Sequence, residues 1–567
     1  MAFKNLLKKK KEIKNKKKLS KKKRELSQTF KTYLYEYITI TKSQEYEVIS
    51  PLHVDELASK IASLYEKIRR IIDWKEEHLI RRFAIERVLK RIMIPQISGI
   101  SILSALDPSK MAEPLVLELI RTGYFPNNKI PKEKVLYIEK VLEKYIYILE
   151  HSKPTQNHLS LNLKTKVQFY NWLLSIAACE IEEILDPSFF ESSLINFMTY
   201  RIYERIKVIP ESEINNIAKF YQTYIAVHRA LYDLEPGIII YHLIRCRYPM
   251  WTKNTKKILP EFTENIMQIW KGYESELNFK YSARFYRICE QYDTVYLVIG
   301  DIFKLFKGRS EILEDIFAHP AKLETYIKKV YDKRLSTLKR RLFRSAVYST
   351  LSIFLAGGVS LFLFEVPIAT LFYGHFSLTA IIIDILLPTV LMFLLVAMIR
   401  LPSKKNFDRV RDEVYKIVYQ NGKIDVYEFD FVKKKNLFKN CIFGLIFLFF
   451  GLVSLGFIFW IFYIAKIPWT SVYIDTINIA VIVFAAIVIR ERAKEMTVEE
   501  SSNIFEFILD MISIPIAKVG QWFALKWHEY NFVSVFFSAL VDTPFVKIIN
   551  IFEDWRKYIK DKKSGIH

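Results

Sequence analysis

The sequence predicts a mainly α-helical, polytopic membrane protein. It has four transmembrane helices, a large N-terminal cytoplasmic helical domain and a small β-hairpin in a cytoplasmic loop. Three observations carry that class. Glycine and proline are scarce, 15 and 19 among 567 residues, while Leu, Ile, Lys, Glu, Phe and Tyr abound, which favours long helices over strand-and-turn folds. Four apolar stretches follow one another after residue 344. Basic residues crowd one side of those stretches and nearly vanish from the other.

Residues 1–30 form a basic tail. It holds 13 Lys and Arg against Glu12 and Glu25, in a chain whose formal charge is +23. Anionic lipid headgroups at the inner leaflet are the expected partner of such a run. Nucleic acid is not indicated, because the run has no aromatic residue of its own to stack a base; Phe3 and Phe30 only flank it. No continuous apolar run follows the tail, so it does not read as a cleavable signal.

Residues 31–340 read as the cytoplasmic helical domain. PLHVDELASKIASLYEKIRRIIDW and EEHLIRRFAIERVLKRIMI place apolar residues at three- and four-residue spacing, and similar stretches recur near 131–150, 164–185, 211–232 and 309–341. LDPS occurs at 106–109 and 185–188, with Asp suited to cap a helix and Pro to its first turn. His78, among Asp73, Glu76, Glu77, Arg81 and Arg82, reads as part of a charged helix face rather than a metal site.

The apolar stretches are 345–364, 378–399, 441–465 and 472–489. At ~1.5 Å per residue each is long enough for a ~30 Å hydrocarbon core. They define two helix pairs, 341–400 and 440–492. KKVYDKRLSTLKRRLFR before the first span carries Lys339, Arg340, Arg341 and Arg344 at its end, suited to lipid contact, and the 400–440 loop holds eleven Lys and Arg. Between the first two spans there is no Lys or Arg, and between the last two only Lys466. The positive-inside rule then puts both termini and that loop in the cytoplasm, with the spans in the inner (plasma) membrane.

The loop, 401–439, contains EVYKIVYQNGKIDVYEFDF, whose alternation around Asn421–Gly422 predicts the hairpin. Residues 493–567 mix apolar clusters with charge, which predicts amphipathic helices on the membrane surface, with Trp522, Trp527 and Trp555 at headgroup level.

The candidate site lies inside the spans. Asp384 falls in the second, one turn before Pro388, which has no N–H to offer the carbonyl at 384. Asp475 and Asn478 lie toward the outer end of the fourth, and Glu365 ends the first. Intramembrane carboxylates mark ion or proton paths by default, and a protonated Asp384 serving packing is the competing account. Ser352, Ala356 and Ser360, and Gly444, Gly451, Ser454 and Gly456, are small residues suited to close helix approach within the chain or with a second copy. No phosphate-binding glycine loop, HExxH or GxSxG occurs, and Cys179, Cys246, Cys289 and Cys441 are scattered. No cofactor, metal or catalytic group is therefore expected. The sequence reads as a membrane-anchored scaffold that meets a cytoplasmic protein through its helical domain. A small ion or proton transporter is the alternative.

Overall fold

The computed structural model describes residues 24–42, 50–54, 60, 80–97, 106–152, 163–187, 189–210, 214–252, 255–306, 309–360, 362, 367, 370–371, 378–399, 401–420, 426–430, 437–464, 469–498, 504–529, 551, 555 and 558–559. It is mostly α-helical, with one parallel two-stranded sheet. The chain divides into two compact units. One comprises Met1–Leu34, Arg205–Glu213 and Glu290–Asn531; the other comprises Tyr35–Glu204, Ile214–Cys289 and Phe532–His567.

The second unit is built from helices whose apolar stripes meet in a common core. On Glu133–His151, Ile138, Leu142, Tyr145 and Leu149 follow the helical repeat and are buried. On Leu163–Leu185, Leu173, Leu174, Ile176, Ala177 and Ile181 do the same. Asp107 caps Pro108–Arg121 as its sequence predicts, accepting from the Ser109 N–H at 3.1 Å, with Pro108 in the first turn. At the second LDPS, Ser188 lies outside the described residues.

In the first unit, Phe30 packs against Phe303 and Phe317, and Ser27 bonds to the end of the helix Lys404–Tyr419 through Ser27 N–H to Val418 O at 2.8 Å. That helix corrects the predicted hairpin. Val410, Val414, Ile417 and Val418 are fully buried at a spacing of four, three and one, which is a helix stripe. Tyr415 and Tyr419 donate to Pro320 O and Phe317 O, at 3.0 and 2.8 Å, and fix its outer edge. Tertiary burial overrides the β preference of Val, Ile and Tyr here. Asn421–Gly422 lies outside the described residues. Only the second arm is a strand, Tyr427–Asp430, and it pairs in parallel with Ile206–Ile209, in the register Ile206 with Tyr427. A partner more than two hundred residues away leaves no local trace in the sequence.

Pro320–Ser360 is one helix of 41 residues, about 60 Å long at 1.5 Å per residue. It packs with Leu378–Ala397, Trp469–Ala493 and Ile504–Glu529 into a bundle, which Leu437–Ile464 joins. The four-span expectation is corrected. Among the described residues two helices are long and apolar enough to cross a membrane, Cys441–Ile464 and Phe507–Lys526. In the helix Leu378–Ala397 the apolar run among the described side chains is Leu386–Val396. Trp469–Ala493 is diluted by Asp475, Asn478, Arg490 and Arg492.

Phe507–Lys526 is the segment that the sequence reading laid on the membrane surface. Its charges are held by neighbours: Asp510 pairs with Arg490, and Lys518 Nζ lies 4.6 Å from the centre of the Phe447 ring. The helix runs unbroken through Pro515, whose Cβ faces Gly451. Gly520 touches the neighbouring helix so closely that a Cβ there would stand 2.0 Å from Ala480 O. Ser454 is buried and donates to Ile512 O at 2.9 Å. Gly451 and Ser454 thus serve the close packing their size predicts, whereas Gly444 and Gly456 face open space.

Candidate functional site

The site that the first unit builds most completely is the junction between its polar helices and its apolar bundle. The long helix Pro320–Ser360 records the boundary. Up to Arg341 its exposed side chains are mostly charged, while Leu323, Ile327, Val330, Tyr331 and Leu338 are buried. From Phe343, which is 71% exposed, the outward residues become Val347, Tyr348, Leu351, Phe354 and Leu355. Lys339, Arg340, Arg341 and Arg344 sit at that change, all exposed.

Other helices reach the boundary at the same level. Leu342 shares a cluster with Met392, Ile399 and Ile489, so the ends of three helices meet there. The connection leading from Trp469–Ala493 toward Ile504–Glu529 is held against this level. Asn406 is buried and donates through Nδ2 to Met496 O at 2.6 Å and to the Tyr331 hydroxyl at 2.9 Å. Its Oδ1 accepts the Val498 N–H at 3.0 Å. Thr294 Oγ donates to Glu495 O at 2.9 Å, and Arg341 pairs with the Glu495 carboxylate at 3.0 Å. A buried amide with both ends satisfied contributes through what its loss leaves unpaired.

The predicted ion-path residues are placed as follows. Leu387 packs on the cluster that holds Val472, Ile479 and Val483, and Met392 belongs to the cluster of Ile482, Ala486 and Ile489, so Leu378–Ala397 and Trp469–Ala493 run in the same direction. The Asp384 backbone, a turn before Leu387, and Asp475, a turn after Val472, therefore lie toward the same end of the bundle. Asp475 is 2% exposed, Pro388 is buried and Asn478 half-buried; the Asp384 side chain and all of Glu365 lie outside the described residues. Trp522 and Trp555 are exposed, and the Trp527 side chain lies outside the described residues.

Sequence reasoning missed a buried polar cluster in the second unit. Glu180 accepts from Lys144 Nζ at 2.5 Å, from the Tyr145 hydroxyl at 2.9 Å and from Trp251 Nε1 at 3.2 Å. Lys144 also lies 4.2 Å from the Trp251 ring centre. Burial pulls the Lys144 ammonium below its usual range, opposed by the Glu180 charge. Nearby, His228 donates through Nδ1 to Tyr224 O at 2.8 Å, and its Nε2 meets His242 Nδ1 at 3.1 Å. Burial first, then their neighbours' charges, lowers the two imidazoles to about 3 and about 4. Both are neutral at pH 7. Among the described residues no group of three or more His, Cys, Asp or Glu is placed to hold a metal ion. The Lys144–Glu180 contact fits a closed structural pair, because every partner it needs is already supplied by the chain.

No family model, curated protein or solved structure matches the chain, so its site is read from its own geometry.

Proposed function

We propose that the protein is a multi-pass, membrane-anchored platform of the inner (plasma) membrane, whose cytoplasmic helices meet a protein partner. The observation that carries this reading is the helix Leu437–Ile464. From Phe438 to Ile464 it presents large apolar side chains on nearly every side, among them Phe443, Leu448, Leu452, Phe457 and Trp460. Such a surface is stable in hydrocarbon and not in water. In this reading Leu378–Ala397 and Trp469–Ala493 cross beside the two candidate spans, with which they share an apolar cluster, and the end of Pro320–Ser360 follows them through Leu342 and Ile353, which pack on the cluster of Met392, Ile482 and Ile489. The basic segments at 328–344 and 400–440 support a cytoplasmic side for the polar helices. Tyr200 and Ile217, exposed on the second unit, offer an apolar contact for a partner.

Asp475 supports a second reading, an ion or proton path, since a carboxyl group buried in a bundle is functional by default. One experiment separates the two. Ion flux is followed in proteoliposomes of the full chain under proton, sodium and potassium gradients, beside Asp475→Asn and Asp384→Asn. The platform reading expects no flux from any of the three. Wild-type flux that either variant abolishes would make the path the function. A photo-reactive residue at Tyr200 or Ile217 in cells is expected to give one discrete adduct; a smear equal to that at Leu136 would contradict a partner surface.

A further inference from the structure

We infer that the first unit carries an anionic-phospholipid binding surface at its junction, formed by Arg340 and Arg344 with Lys339, Arg492, Lys404 and Lys405. All six are exposed. The neighbouring cations Arg341, Arg490 and Lys494 are engaged by Glu495, Asp510 and Glu491. The six have no ion pair among the described residues, so they retain their charge for an outside anion.

Which anion follows from what stands beside them. Arg340, Arg344, Val347, Leu351 and Leu355 are spaced four, three, four and four, which is a single stripe along one helix face. All five are exposed. The stripe is two guanidinium groups followed by three aliphatic side chains. From Arg344 to Leu355 it runs about 16 Å, half the hydrocarbon thickness of a bilayer. Its ligand must therefore carry a negative headgroup and an acyl chain in that order. A soluble phosphate satisfies the guanidinium groups and leaves the aliphatic residues bare. A nucleic acid does the same. Tyr348, exposed a turn beyond Arg344, has the amphipathic ring that sits at headgroup depth. Arg492 enters from Trp469–Ala493, which the Leu342–Met392–Ile489 cluster brings to this level, and Lys404 and Lys405 enter from the start of Lys404–Tyr419, which Asn406 ties to Met496 and Val498 just beyond Arg492, so the surface accommodates more than one headgroup.

This inference rests on the membrane reading, and the test reports the two separately. Purified full-length protein in non-ionic detergent is titrated with phosphatidylglycerol, phosphatidylcholine or inorganic phosphate, and bound adducts are counted by native mass spectrometry. The comparison variants are R340Q/R344Q/R492Q and, as a distant control, K129Q/K132Q/K140Q on the second unit. The wild type and the control are expected to prefer phosphatidylglycerol over phosphatidylcholine by at least fivefold, and the junction variant to lose that preference. About fivefold per cation is the expected scale at a membrane surface. Equal uptake of both lipids by the wild type overturns the inference, as does a preference that the junction variant keeps or the control loses. Displacement of phosphatidylglycerol by millimolar phosphate would assign the cations to a free anion and also overturn it. Retention of the same variants in alkaline-washed membranes reports the anchoring itself. Retained protein without lipid preference refutes only the surface, and protein released by the wash refutes the anchoring.

Discussion

The helix Glu133–His151 and the helix Leu437–Ile464 are opposites in how they use apolar residues. The first buries Ile138, Leu142, Tyr145 and Leu149 and turns Glu133, Lys140, Glu143 and Glu150 outward, with Lys144 its one buried charge. The second buries little beyond Ser454, Ile458 and Phe462 and turns its phenylalanines and leucines outward. In one, the stripe is the core. In the other, the stripe toward the bundle is marked by a serine, a glycine and a few large side chains, while the outer surface is the apolar one. The difference teaches that burial inside this protein and burial away from water are separate quantities, and the proposed bilayer is what reconciles them for the second helix.

The comparison breaks most easily at the charge buried in the second unit. Glu180→Leu leaves Lys144 desolvated and unpaired, and the expected loss is about 3–5 kcal/mol in chemical or thermal unfolding of the full chain. Lys144→Met with Glu180→Leu together is expected to recover part of it; a double variant as unstable as the single one would contradict a closed structural pair.

A matched pair of substitutions then sharpens the contrast between the two helices. Leu136 and Leu448 are 61% and 59% exposed. Leu448→Arg is expected to cost about 2.5–3.5 kcal/mol in a membrane-insertion assay. Leu136→Arg is expected to stay within about 0.5 kcal/mol in unfolding. Equal tolerance at both positions would mean that both face water.

Within the bundle and its junction the expected effects are smaller. Asn406→Ala removes three hydrogen bonds and leaves the Val498 N–H without its acceptor, an expected loss of about 1–3 kcal/mol with earlier proteolysis near 494–498. Gly520→Ala forces its helix away from Ala480 and is expected to cost about 1–3 kcal/mol, read as a lower unfolding midpoint in detergent.

Acidification gives a further, signed test. His228 and His242 are lowered from 6.5 to about 3 and about 4 in the fold. Unfolded chains therefore take up more protons as pH falls below 6.5. Their contribution is complete above that value and is lost progressively toward pH 4 and below. Glu182, raised by burial from 4.5 to about 7, acts in the opposite sense between those two values. Asp293, raised well above its usual range by burial, acts in the same sense as Glu182, so the histidine pair is read as a difference: between pH 7.5 and pH 5 the unfolding midpoint of His228→Phe/His242→Phe is expected to fall less, or rise more, than that of the wild type. An identical pH dependence in the two proteins would contradict the buried neutral pair.

Much of the helical order was legible because apolar spacing is local. The stretches near 131–150, 164–185 and 211–232 appear as Glu133–His151, Leu163–Leu185 and Asn216–Tyr232. The run 309–341 hid a break, the turn at His319–Pro320, after which one helix continues to Ser360. What stayed illegible depends on distant partners. Alternation in 413–420 suggested a strand until burial against the N-terminal segment and the helix Pro320–Ser360 selected the helical stripe. Asp510 and Lys518 made Phe507–Lys526 look interfacial because Arg490 and Phe447 are remote in sequence. Asn406 carries no local sign of its role, since its backbone partners stand 90 and 92 residues away. The basic cluster at 339–344 was visible in advance, but its alignment with Val347, Leu351 and Leu355 needed the unbroken helix.

The surroundings of Leu448 decide whether the chain is anchored in a membrane. A nitroxide at Leu448 of the full-length protein in liposomes, compared with one at Leu136, measures them through collision with oxygen and with a water-soluble nickel chelate. Hydrocarbon at Leu448 predicts high oxygen and low nickel accessibility there, and the reverse at Leu136. High nickel accessibility at Leu448, equal to that at Leu136, would place the most apolar of the described helices in water and contradict the membrane anchor.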